Sequence, residues 1–69
     1  MNIKGVEIKA FIELHTGIDS ESIHVKDLRQ TMHLSYIEFD VWTPYGLKAY
    51  ELLVDHQKNT SRLTDKDEA

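Results

Sequence analysis

The stretch Ser35-Tyr36-Ile37-Glu38-Phe39-Asp40-Val41-Trp42-Thr43-Pro44-Tyr45-Gly46 decides how the rest of the chain is read. From Tyr36 onward it alternates, with Ile37, Phe39 and Val41 on one side and Tyr36, Glu38, Asp40 and Trp42 on the other. A period of two marks a half-buried strand, because successive side chains of a strand point to opposite faces of the sheet. Pro44 and Gly46 then stand at the second and fourth positions preferred in a type I turn. A hairpin partner is predicted over residues 47–54, with Tyr50, Leu52 and Val54 in phase.

Working outward, Ile23-His24-Val25-Lys26 alternates over a shorter length and supplies a further strand. Residues 3–15 have a helical period instead. At 100° per residue Ile3, Val6, Ala10 and Leu14 cluster, and Ile8, Phe11 and Ile12 widen the stripe. Asn2 suits the N-cap and Gly17 the C′ stop, while Gly5 weakens the first turn by roughly 1 kcal/mol relative to alanine. The prediction is a single α+β domain over residues 1–56: an N-terminal helix, then a three-stranded antiparallel meander. Residues 57–69 have Leu63 as their one apolar residue besides the terminal alanine and are expected to be a flexible, disordered tail. Two stretches also fit helical spacing. Residues 20–33 carry Val25, Leu28 and Met32, and 47–58 follow Pro44, which gives an αββα alternative with a C-terminal helix.

Composition narrows the function. A chain of 69 residues with no cysteine has neither disulfides nor thiolate chemistry to draw on. Eight Lys+Arg against twelve Asp+Glu give a net charge of −4, the wrong sign for direct binding to nucleic acid or an anionic membrane. Lys4, Glu7 and Lys9 interrupt any signal-peptide core, and the apolar runs are too short to span a bilayer, so a cytoplasmic protein is expected.

No catalytic, metal or cofactor site is predicted. His15, His24 and His33 recur every nine residues, whereas helical ligands need a spacing of three or four and strand ligands two. Glycines at 5, 17 and 46 alone form no phosphate loop. Glu38 and Asp40 share a strand face roughly 6.5–7 Å apart, an acid/base couple only if a cleft raised one pKa. Gly17-Ile18-Asp19-Ser20 resembles, over four residues, the phosphopantetheine attachment stretch of acyl carrier proteins. That family's leucine after the serine is Glu21 here, and the strand signal departs from its all-helical fold.

What remains is a surface. Tyr36 and Trp42 flank Glu38 and Asp40 on one strand face, either beneath a second layer such as the helix or exposed as a protein-binding face. Aromatics on a sheet also form the stacking platforms of single-strand RNA binders, but the acids between these rings would repel phosphate. Nine acids against five bases place the net charge on residues 1–57, and the tail is neutral. The expected function is that of a small acidic, non-catalytic module that inhibits or regulates a protein partner with a basic surface. Size and charge, with no matching motif, liken it to phage-type proteins that block a nucleic-acid-binding host protein. The alternative is a nucleic-acid-binding sheet face helped by Lys26, Arg29 and Lys48. A homodimer is expected, covering Ile3, Phe11 or Trp42.

Overall fold

The computed structural model describes residues 5–68. A helix, α1 (Gly5–Thr16), is followed by four strands: β1 (Ile23–Gln30), β2 (Leu34–Thr43), β3 (Gly46–Asp55) and β4 (Thr60–Asp65). Single 3-10 turns lie at Ser20–Ser22 and Lys66–Glu68. The strands form one antiparallel sheet in chain order, β1-β2-β3-β4. The fold is α+β with a helix first, as the sequence predicts, but the sheet has four strands and not three.

The extra strand lies within residues 57–69, where the sequence predicts a tail. Thr60–Asp65 pairs with β3 from Asp55↔Thr60 to Tyr50↔Asp65. A tight turn sets it up. The Asp55 carboxylate accepts from the Gln57 and Lys58 backbone N–H groups, both at 3.0 Å, and Asn59 takes a left-handed φ of 55°. Asp and Asn are the residues that make and tolerate such turns. An edge strand needs little apolar content, so hydrophobicity alone did not mark it.

Neither helical alternative forms. Residues 20–33 give the 3-10 turn and β1, and 47–58 give β3 and the turn after it. The three-residue spacing of Val25 and Leu28 has a cause in the sheet: the β1–β2 register shifts between Val25 and Asp27. That bulge inserts Lys26 as an extra residue, so Val25 (opposite Phe39) and Leu28 (opposite Ile37) face the same side.

Helix α1 lies on the face carrying Ile37, Phe39 and Val41. Ile12 is fully buried there, and Ile8 and Phe11 pack beside it against Ile23, Leu52 and Val54. The helix therefore docks on the flank of its apolar stripe, where the side chains are β-branched or aromatic. Ala10 and Leu14, from the centre of the predicted cluster, lie outward, and Leu14 is 81% exposed. Asn2 and Ile3 lie outside the described residues. Gly17, at φ 77°, ends the helix with its N–H donating to the Glu13 carbonyl at 2.8 Å, as the stop signal predicts.

The β2–β3 hairpin turns at Pro44-Tyr45, between Thr43 and its partner Gly46. The Thr43 hydroxyl donates to the Gly46 carbonyl at 2.7 Å and accepts from the Tyr45 N–H at 3.1 Å. The molecule measures 36 × 27 × 19 Å. Its least dimension fits one sheet and one helix layer, since layers pack roughly 10 Å apart. The other sheet face has no layer over it among the described residues. No helix among them is long and apolar enough to cross a membrane.

Candidate partner-binding face

Alternation in β2 sends Tyr36, Glu38, Asp40 and Trp42 to the face opposite the helix, so the structure brings all four together. The reading in which the helix covers Tyr36 and Trp42 is incorrect, because the helix packs on Ile37 and Phe39. Register then completes the outer face. Leu53, Glu51, Ala49 and Leu47 of β3 lie opposite Tyr36, Glu38, Asp40 and Trp42 in turn. Asp27 and Arg29 of β1 lie opposite Glu38 and Tyr36, and Arg62 of β4 lies opposite Leu53.

Three zones follow along the strands. At the hairpin end, Trp42 is 62% exposed beside Leu47 at 51%, and Tyr45 on the turn is almost wholly in solvent. At the far end a shallow groove of about 240 Å³ is lined by Leu34, Leu53, Asp55, Lys58, Ser61 and Arg62, among others. Between them lies a charged centre.

That centre is tightly paired. Glu38 and Glu51 stand directly across β2 and β3, where like charges repel. Lys66, from the turn after β4, reaches back between them, 3.2 Å from Glu51 and 3.6 Å from Glu38. A hydrogen bond from the Tyr36 hydroxyl, then one from Lys66, holds the Glu51 carboxyl below its ordinary range. The same bond to Glu51 raises the Tyr36 phenol, and Glu51 in turn raises Lys66. Asp40 sits 3.9 Å from Lys26, the bulge residue. Arg29 contacts Asp27 at 3.0 Å and lies 5.9 Å from the Tyr36 ring centre. Glu38 and Asp40 do not line the groove, and each has a cation beside it.

Lys66 and Arg62 both come from residues 57–69, which the sequence predicts to be a neutral tail. Folded back, they bring positive charge onto the same face as the acids. Lys48 goes the other way: it pairs with Asp65 at 2.7 Å and lies 5.6 Å from the Tyr50 ring centre, on the helix side of the sheet. It does not join Lys26 and Arg29.

Phe11 turns inward. Its ring lies 4.4 Å from that of His15 and 6.2 Å from that of His56, and it packs on the core. His24 lies opposite Asp40, on the outer face, and His33 is in the β1–β2 connection. One pair escaped sequence reasoning: Ser35 Oγ lies 2.7 Å from His56 Nε2 and accepts from Gln30 Nε2 at 3.3 Å. The spacing is that of a nucleophile and its base, but Ser35 is completely buried. It satisfies a polar group at the end of the core. Extending the alternation Leu52, Val54 by one step to His56 would have found it. Ser20 opens the 3-10 turn, with its N–H donating to the Glu13 carboxylate at 2.9 Å.

Compared with protein-family models, with curated proteins and with solved structures, the chain finds no match.

Proposed function

We propose that the protein is a small non-catalytic binding module that inhibits or regulates a protein partner through the outer face of its sheet. The observation that carries this reading is Trp42, largely exposed beside Leu47 on a face that no layer covers among the described residues. Tryptophan and tyrosine dominate interface energetics because a rigid aromatic body buries much area and retains one polar group. The net charge of −4 favours a partner with a basic surface, such as one that handles nucleic acid, and would speed their encounter. The ion pairs of Glu38, Glu51 and Asp40 shift the weight from free acidic charge to the aromatic anchor.

A second reading rests on Arg29 over Tyr36, with Arg62 on the same face two strands beyond the ring, a cation and ring arrangement suited to single-stranded nucleic acid. One set of measurements separates the two. Trp42 is the only tryptophan, so its emission reports on this face alone. With a protein captured from the native host, Trp42→Ala should weaken binding by about 2 kcal/mol, roughly thirtyfold in Kd. Retained capture by Trp42→Ala, with salt-sensitive binding of plain single-stranded DNA or RNA, would favour the second reading.

A further inference from the structure

The sheet has two edges, and they are not alike. The β1 edge carries the bulge at Lys26, a device that interrupts pairing with another strand. The start of β3, beyond the reach of β4, is occupied by Asp67, whose carboxylate accepts from the Ala49 N–H at 3.1 Å. The β4 edge has no such guard. All six of its residues stay in unbroken register with β3, without bulge or proline. A row of residues also runs across all four strands on the helix side: Leu28, Ile37, Leu52, Leu63. Leu28, Ile37 and Leu52 pack in the core, but the row stops at the edge with Leu63 42% exposed.

We propose that the occupant of this edge is a second copy of the chain, joined β4 to β4 about a two-fold axis centred on Leu63. Residues directly opposite in an antiparallel pair share a face, so a symmetric pairing must centre on a residue. Centring on Arg62 sets Arg62 against its own copy. Centring on Thr64 sets Arg62 against Lys66 and Leu63 against Asp65. Centring on Leu63 opposes Leu63 to Leu63, Ser61 to Asp65 and Arg62 to Thr64. Only this last register continues the apolar row into the second subunit and puts no like charges directly opposite each other. The hydroxyl of Ser61 can add a hydrogen bond to the facing carboxylate, which pairs with Lys48 and accepts from the Asp67 N–H of its own subunit. The contact thus lies at Leu63, and Phe11, an expected dimer residue, is engaged within its own subunit.

The arrangement has a functional consequence. An axis perpendicular to the sheet keeps both outer faces on one side of a continuous eight-stranded sheet. The two Trp42 anchors would then stand roughly 40 Å apart by strand spacing and rise. Such a dimer suits a symmetric or repeated partner, since a second contact on the same molecule multiplies affinity. The pairing stands independently of the partner-binding reading.

Because the chain lacks cysteine, single introduced cysteines test the register. Across the axis, residues 63 lie roughly 4.5–5.5 Å apart at Cα, within disulfide reach, whereas the two copies of residue 61 are roughly 14 Å apart. In the full-length chain, Leu63→Cys should crosslink at least about tenfold faster than Ser61→Cys under mild oxidation. Sedimentation of the unmodified protein should show a dimer at high micromolar concentration, weakened in Ser61→Asp and strengthened in Ser61→Lys. A monomer at that concentration, or equal crosslinking at 61 and 63, would overturn the proposal. So would Ser61→Asp and Ser61→Lys shifting association in the same direction.

Discussion

At the residue scale, Lys66 does the most to reconcile the sheet with its own charges. Glu38 and Glu51 face each other across β2 and β3 and would repel if left alone. The Tyr36 hydroxyl, and then Lys66, hold Glu51 below its usual value, so its contribution to stability is present above the unfolded carboxylate pKa of about 4.3. It is lost as pH falls through the lower folded value. Lys66 is raised, so its contribution is complete below the unfolded lysine pKa of about 10.4 and fades as pH rises through the folded value. Neutral pH lies inside both windows. Lys66→Met should therefore lower the melting temperature at pH 7, and the gap to the unmodified protein should be narrower at pH 3. Equal losses at both values would mean that the lysine acts through packing. The sequence displayed Tyr36, Glu38, Asp40 and Trp42 on one face, because alternation settles sides. It could not display Lys66, fifteen residues beyond Glu51, because that contact depends on the strand between them.

At the element scale, most of the fold was legible and the exceptions share a cause. The β2–β3 hairpin was readable because apolar alternation and a Pro-x-Gly turn agree. The helix was readable in extent but not in rotation, since a stripe this broad offers several docking faces and only the sheet selects one. β4 and the bulge were missed for opposite reasons: β4 has too little apolar pattern, and the extra residue in β1 turned a period of two into an apparent period of three. The hairpin itself makes a graded prediction. Gly46 has a φ of 116° and open space where a Cβ would go, so alanine there meets backbone strain and no clash. Gly46→Ala should cost about 1–3 kcal/mol. Gly17→Ala, nearer the left-handed helical well at φ 77°, should cost about 1 kcal/mol. Calorimetric melting of both variants checks the order, and an equal or smaller loss at Gly46 would contradict the assigned turn.

At the scale of the whole molecule, a helix on one face of a four-stranded sheet leaves the opposite face without a second layer among the described residues. That face divides into an aromatic end, a neutralised centre and a grooved basic end. The chain's net charge misdescribes it, because Arg62 and Lys66 fold onto it from what reads as a separate tail. The face that we propose a partner takes is open in the isolated protein, with Trp42 62% exposed. The most direct test is acrylamide quenching of Trp42 emission, in the protein alone and in its captured complex. Trp42 should be readily quenched in the isolated protein, as a largely exposed indole is, and strongly protected in the complex. A tryptophan shielded before any partner is added, or one equally open after binding, would contradict it.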